Sequence, residues 1–354
     1  MESRFIWFDM EDGKEKAAMV RFGIIGTGKI SHTFMKAALK VPGFRLEAVY
    51  SRSEERGRAF VQTYGAGKAY TSLEELGDDK EVDAVYIASP NSTHCHQTVL
   101  MLNHGKHVLC EKPIASSSQE LARMTEAAEA NDRLLLEAMR SVFDPGFARI
   151  RELLPRIGKV RRAAFQYCQY SSRYDAFKNG IVENAFNPAL SNAALMDIGV
   201  YCIHPMVALF GKPEKVTASS IFLCNHMEGA GTVLMDYGDM IGEARYSKIT
   251  DSRQPSEIQG EDGSMLIWQI PDTRKIQLIF QNGSQETYEI PKEDNNMYYE
   301  ILRFVELIEM GQGERPAEEY LKASILEMEV MDQVRQLTGI RFDGVDAGRS
   351  MDPV

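Results

Sequence analysis

The chain has few cysteines, no long apolar run and no surplus of positive charge, and each lack removes a class of protein. Its five cysteines, Cys95, Cys110, Cys168, Cys202 and Cys224, are odd in number, scattered, and form no Cys-x-x-Cys pair. That pattern suits reduced thiols in a cytoplasmic protein, not a disulfide framework. No apolar segment approaches the roughly 20 residues needed to cross a bilayer, so no membrane partner is expected. Against 51 acidic side chains stand 40 basic ones, a net charge of -11. Nucleic acid and anionic membranes are therefore excluded as general partners.

What is present is a globular composition, 44% hydrophobic and 26% charged. At 354 residues the chain exceeds one ordinary core and suits two domains. Residues 1–18 stand apart from both. Phe5, Ile6, Trp7 and Phe8 are followed by Asp9, Glu11 and Asp12, which is not the pattern of a signal peptide. An added or start-site extension, or a short leader lying on the outside, is expected there, with Met19 just before the first strand.

Val20 to Ile25 reads as a buried strand, followed by Gly26-Thr27-Gly28-Lys29-Ile30-Ser31 and by Phe34, Ala37, Ala38 and Val41 at helical spacing. Strand, glycine loop and helix together are the setting of a dinucleotide site. Gly26 permits the tight turn, Gly28 lets the backbone approach a pyrophosphate, and the phosphates rest on the helix N-terminus. A small Ser31 takes the third glycine position. The second strand, Phe44 to Tyr50, ends in Ser51-Arg52-Ser53, where an NAD site usually places an acid. Two hydroxyls and a guanidinium suit a 2′-phosphate, so NADP is expected ahead of NAD.

A strand from Asp83 to Ala88 leads to Ser89-Pro90-Asn91-Ser92-Thr93-His94, with Thr93 as the expected cap of the next helix. The run Lys106 to Cys110 then ends in Glu111-Lys112-Pro113, two opposite charges and a proline at a strand end. Open α/β sheets bind their ligands outside such carboxyl ends, and an ammonium there can orient a substrate hydroxyl. Leu134 to Ala138 is a further strand. The alternation over residues 20–140 implies a parallel, doubly wound sheet. His94, Cys95, His96, His104, His107 and Cys110 match no zinc spacing, so no metal is expected.

From Lys159 the texture changes to strand-like segments at Val160–Tyr170, Lys215–Phe222, 231–236, Ile241–Ser247, 265–270 and 276–280. Asp262-Gly263 and Asn282-Gly283 mark hairpin turns. Helical patterns run from Ala194 to Phe210, from Asn296 to Met310 and from Ala317 to Leu337. The first of these contains Asp197 and Tyr201, four residues apart and so on one helical face.

Gly26-x-Gly28, Glu111-Lys112-Pro113 and Asp197-x-Gly199-x-Tyr201, in that order, resemble the Gfo/Idh/MocA oxidoreductase family over nearly everything after Met19. The Asp-x-Gly-x-Tyr pattern resembles the branch with dihydrodiol dehydrogenases and glucose–fructose oxidoreductase. The resemblance implies an α/β fold with an N-terminal Rossmann domain over residues 19–141. An α+β domain with a large, mostly antiparallel open sheet would follow over 142–354. It implies an NAD(P)-dependent dehydrogenase or reductase acting on a secondary alcohol or carbonyl of a sugar, polyol or cyclic diol. Lys112, Tyr201 and Asp197 would be catalytic. Gly26, Thr27, Gly28, Lys29, Ile30, Ser51, Arg52, Ser89, Pro90, Asn91, His94, Glu111, Lys112 and Arg140 would surround the cofactor.

Where the family usually continues with Arg-Phe, this chain reads Arg140-Ser141-Val142-Phe143, and Ser191-Asn192-Ala193-Ala194 replaces a glycine run. Both departures fall on the substrate side. Tyr170, Arg173, Tyr174, Asn187 and His204 are the candidates there. Tyr201 is the expected acid/base, with His204 as the alternative three residues further on. A homodimer or homotetramer through the second sheet is expected. A non-catalytic NAD(P)- or sugar-sensing regulator of the same fold is the competing reading.

Overall fold

The computed structural model describes residues 19–65, 67–311 and 316–342, so the expected leader at 1–18 lies outside the described residues. The first half builds six parallel strands: β1 (Val20–Ile25), β2 (Phe44–Tyr50), β3 (Lys68–Tyr70), β4 (Ala84–Ile87), β5 (His107–Glu111) and β6 (Leu135–Ala138). Their order is β3-β2-β1-β4-β5-β6. Every residue of β4 and β6, and all of β5 after His107, is buried. Such unbroken burial is what a parallel sheet covered on both faces requires. Strand order reverses between β1 and β4, which opens the crevice where doubly wound sheets take ligands.

The second half forms an eight-stranded sheet: β7 (Val160–Cys168), β8 (Lys215–Phe222), β9 (Glu228–Asp236), β10 (Ile241–Ser247), β11 (Ser256–Gly260), β12 (Gly263–Trp268), β13 (Lys275–Phe280) and β14 (Gln285–Glu289). The order is β14-β13-β12-β11-β7-β10-β9-β8. β7 and β10 pair in parallel and every other neighbour is antiparallel. β12 alternates buried and half-buried residues, so one face packs on the interior and the other is open. β11 and β14 are not evident in the sequence, because Ser-Glu-Ile-Gln-Gly and Gln-Glu-Thr-Tyr-Glu carry too few apolar residues to show a period.

The expected helix from Ala194 to Phe210 has two parts. Leu195–Gly199 is a π-turn, and the α-helix runs from Val200 to Phe210. Two neighbours brace the wider turn. Glu228 on β9 accepts the Leu195 N–H at 2.7 Å and also takes the Tyr246 hydroxyl at 2.9 Å. The Tyr246 ring fills the space where a Cβ on Gly199 would sit, 2.9 Å from its Cδ1. Single π-turns inside helices recur at functional sites.

The last two helices, Met297–Met310 and Pro316–Thr338, tie the halves together. Phe304 packs 5.9 Å from Phe22 of β1. Glu327 of the final helix meets His204 and Glu137 in a sealed cluster. His204 Nδ1 lies 2.6 Å from Glu327 Oε2 and 3.4 Å from Glu137 Oε2. Ser324 Oγ and the Ile114 N–H donate to Glu137 at 2.6 and 3.0 Å. These three side chains could in principle hold a metal ion, but the 2.6 Å separation is that of a charge-assisted hydrogen bond. The cluster is a buried ion pair joining β6, the helix of Tyr201 and the final helix.

Burial alone would lower the His204 pKa, but hydrogen bonds and charges from Glu137 and Glu327 hold it up at about 9. The folded chain therefore keeps a proton that the unfolded chain releases near 6.5. The His204 contribution is complete below pH 6.5 and is lost as pH rises through about 9, while Glu327, whose carboxyl is raised by burial to about 8, adds a decline that begins near pH 4.5. Each group contributes a slope of at most about 1.4 kcal/mol per pH unit. Urea unfolding between pH 6 and 10 is expected to show that decline. Glu327→Gln, which leaves the imidazole one carboxylate, is expected to shift it to lower pH.

Candidate active site

The site starts where β5 ends. The Glu111 carboxylate is buried and accepts the Tyr86 hydroxyl at 2.5 Å and the Lys112 N–H at 3.2 Å. Burial raises its pKa despite the nearby charge of Lys112. The peptide between Lys112 and Pro113 is cis. Lys112 Nζ crosses to the second half of the chain and donates to both Asp197 Oδ1 and Asp197 O, each at 2.9 Å. The π-turn thus presents a carboxylate and a carbonyl to one ammonium.

Burial opposes the charge on Lys112, but Asp197, together with Tyr201 and Glu111, holds its pKa well above the usual lysine range. It is an ammonium throughout the neutral range, and so a donor, not a base. The Asp197 carboxyl is likewise opposed by burial, yet Lys112 and Lys248 hold it far below the ordinary carboxylate range. The Tyr201 ring centre lies 4.9 Å from Lys112 Nζ and 5.5 Å from Arg140 Cζ, edge-on to Tyr167 at 5.7 Å. One fixed cation, one fixed anion and one phenol therefore share a small volume. An alcohol oxygen entering it could take a hydrogen bond from the ammonium while the phenol exchanges its proton.

Beside this lies the crevice between β1 and β4. Gly26 has φ 108°, and a Cβ there would meet Ala88 O at 2.8 Å, so only glycine fits. At Gly28 a Cβ would meet nothing within 4 Å, so the backbone stays open to close approach. The helix from Lys29 starts with no side-chain cap and no acid in its first turn, which leaves its N–H groups to an anion. Thr27 is half-buried, whereas Lys29 and Ile30 face outward. Arg52 is exposed beside buried Ser51. Ser53 is engaged as an N-cap, accepting from Arg56 N. These residues fit a dinucleotide with an added 2′-phosphate, whose nicotinamide ring supplies the hydride chemistry when bound.

Several candidates have other structural duties. His94 is fully buried, with Nδ1 2.9 Å from Pro113 O and Nε2 3.0 Å from Ser89 O. It braces two loops instead of bordering the crevice. Thr93 makes no cap hydrogen bond, because its hydroxyl turns to Pro90 O and Ser89 Oγ. Asn91 reaches across to Ser191 O and Asn192 Oδ1, at 3.0 and 3.3 Å. His204 is corrected outright as a substrate contact and as an alternative base: it is 2% exposed and held by two glutamates behind the helix. Tyr170 is held by Asp175 and Lys178, and Arg173 pairs with Glu183 at 3.3 Å. Tyr174 stacks towards Phe177 and Phe186, and Asn187 caps its own turn at Ala189 N. Lys248, Tyr167, Glu228 and Tyr246, which complete the surroundings of Asp197 and Tyr201, belong to none of the sequence motifs. A lone lysine after a strand carries no signal of its own.

A doubly wound sheet with an anion-ready glycine loop, and a lysine at the end of β5 that meets an aspartate and a tyrosine on a helix of the second half, defines a nicotinamide-dependent oxidoreductase. The chain belongs to the GFO/IDH/MocA oxidoreductase family. Residues 20–139 match its NAD-binding Rossmann domain and residues 147–266 its C-terminal domain. It is 45% identical over 324 residues to scyllo-inositol 2-dehydrogenase (NADP(+)) IolU of Bacillus subtilis, covering 92% of this chain and 98% of that one. It is 28% identical to trans-1,2-dihydrobenzene-1,2-diol dehydrogenase of Danio rerio, over 91% of this chain and 98% of that one. In fold it matches KijD10, a 3-ketoreductase from Actinomadura kijaniata solved with NADP and TDP-benzene. The TM-score is 0.81 at 20% identity, covering 90% of this chain and 98% of the other.

Tyr201→Phe keeps the ring against Tyr167 and Lys112 and deletes only the hydroxyl. Turnover is expected to fall about 10²–10⁴-fold, the usual contribution of an acid/base group, with cofactor affinity unchanged. Lys112→Met is expected to bind cofactor normally and lose hydride transfer, because positioning and proton traffic fail together. Single-turnover kinetics with fluorescence titration of the cofactor measures both.

Proposed function

We propose that the chain is an NADP-dependent dehydrogenase/reductase that interconverts a secondary alcohol and a ketone on a polyol ring, with inositols first among its substrates. Lys112 donates to the substrate oxygen, Asp197 fixes Lys112, and Tyr201 takes the hydroxyl proton in oxidation and returns it in reduction. Gly26, Gly28, Lys29, Ser51, Arg52 and Arg140 serve the cofactor side. The observation that carries the reading is the Lys112–Asp197 contact across the two halves, with Tyr201 against the same ammonium. The inositol dehydrogenase named among its relatives supports the substrate class. A regulator that only senses ligand has no need of this assembled group.

The same reading divides the chain near residue 141 and makes the enzyme cytoplasmic and homo-oligomeric. Leu234 and Ile241, 43% and 49% exposed on the open face of the second sheet, are apolar enough to support self-association there. Among the described residues no helix is long and apolar enough to cross a membrane.

Steady-state assays with NADP and NAD against inositols, trans-dihydrodiols and aldoses test the proposal. Oxidation of an inositol with NADP is expected, and no turnover on any cyclic polyol overturns it. Arg52→Ala is expected to weaken NADP roughly ten- to hundredfold, the loss of one charge-assisted hydrogen bond, while NAD affinity stays level. Equal binding of NAD and NADP by the unaltered protein contradicts the cofactor assignment.

A further inference from the structure

Lys248 follows directly on β10 and is 2% exposed. Its Nζ lies 2.8 Å from Asp197 Oδ2 and donates to Ala185 O at 2.7 Å, 4.9 Å above the Phe186 ring. Its backbone is pinned on both sides: Lys248 N donates to Gly229 O and Ser171 N donates to Lys248 O, each at 2.9 Å. Asp197 is therefore held between two ammonium groups, Lys112 on Oδ1 and Lys248 on Oδ2.

Sealing a lysine inside a protein is costly, and an apolar side chain of similar length is often no worse for stability. What an apolar residue could not do is hold the second carboxylate oxygen. With Oδ2 released, the carboxylate could turn and take Lys112 with both oxygens, leaving the ammonium less free for a substrate. Sharing one negative charge between two cations also leaves the cleft a net positive charge, which favours the oxyanion that forms as hydride departs.

We propose that Lys248 is a positioning residue for hydride transfer, clamping Asp197 so that Lys112 stays directed at the substrate. The clamp extends to the substrate side through Ala185. That residue precedes Phe186 and Asn187, and Asn192 Nδ2 closes the same segment by donating to Asn184 O at 2.7 Å. The inference rests on the reading of Lys112 and Tyr201 given above, and its test separates the two.

The charged and titratable groups around the Asp197 carboxylate are Lys112 from the loop after β5, Lys248 from the end of β10, Tyr201 one turn on and Tyr167 from β7. Arg140 lies beyond the Tyr201 ring. Losing Lys248 frees Oδ2 of Asp197. A crystal structure of Lys248→Met is expected to show the Asp197 carboxylate turned so that both oxygens face Lys112 Nζ, whereas in the unaltered protein Oδ1 takes Lys112 and Oδ2 takes Lys248. This measurement requires no turnover, so it stands even where the proposed substrates fail. With an active substrate, kcat in Lys248→Met is expected to drop about 10- to 100-fold, the cost of a misplaced group, at unchanged NADP affinity. Lys248→Arg, which keeps a cation at Oδ2, is expected to restore both the carboxylate position and part of the rate. An Asp197 carboxylate left in place in Lys248→Met overturns the proposal, and a loss of rate without that movement marks Lys248 as structural only.

Discussion

The buried cluster of His204, Glu327 and Glu137 is the interaction on which the site depends. Three elements distant in sequence meet there: the last strand of the parallel sheet, the helix of Tyr201 and the final helix. Glu137 also takes the Ile114 N–H, two residues beyond Lys112. The cluster is bonded both to the loop after Lys112 and to the helix of Tyr201. A buried charge left without its partner is far more damaging than the pair is stabilising. The cluster thus links the loop that carries Lys112 to the helix that follows Asp197.

In front of the cluster the fold sets charge against charge at short range. Lys112 and Lys248 flank Asp197, and Arg140 faces the Tyr201 ring. Glu300 lies fully buried with neither carboxyl oxygen hydrogen-bonded. Burial, and then the repulsion of Glu111, drives its pKa well above the ordinary range, so it stays neutral. The cations are left concentrated on the side where a substrate oxygen would gain negative charge. The π-turn contributes to the same end, since it brings the Asp197 carbonyl and carboxylate to one ammonium.

Much of this was legible in the sequence because it is written in local patterns. Gly26 and Gly28 follow a buried strand and open a helix, Lys112 ends a strand, and Asp197 and Tyr201 share a helix face. Each of these needs only a few neighbouring residues. The supports of the site were not legible, because they are pairings over long separations. Lys248 meets Asp197 across 51 positions of chain, and Glu327 meets His204 across 123. His204 shows the reverse error. It lies three residues from Tyr201, a spacing that would let the two share a face, yet its ring packs onto Glu327 and Glu137 instead. Spacing can say which residues share an element, but only packing says which way they face.

Two parts of the second half and its surroundings are held in different ways. Lys112, Asp197 and Tyr201 sit at a strand end and on a braced helix, with Lys248 and Glu228 buried behind them. The wall opposite them, from Tyr170 to Asn192, is built of short turns whose side chains mostly satisfy one another: Tyr170 with Asp175, Arg173 with Glu183, Asn187 with its own turn. Such a segment can change residue by residue without disturbing the sheet beneath it. It is tied to the rest of the chain at the Ala185 carbonyl on Lys248, at Phe186 O on Asn225, at Tyr170 N on Asp251 and by the bridge from Asn91 to Ser191 and Asn192. The departures of this chain from its family pattern at Ser191-Asn192-Ala193-Ala194 begin at the end of that segment, where the Asn91 side chain bridges to it from the first half.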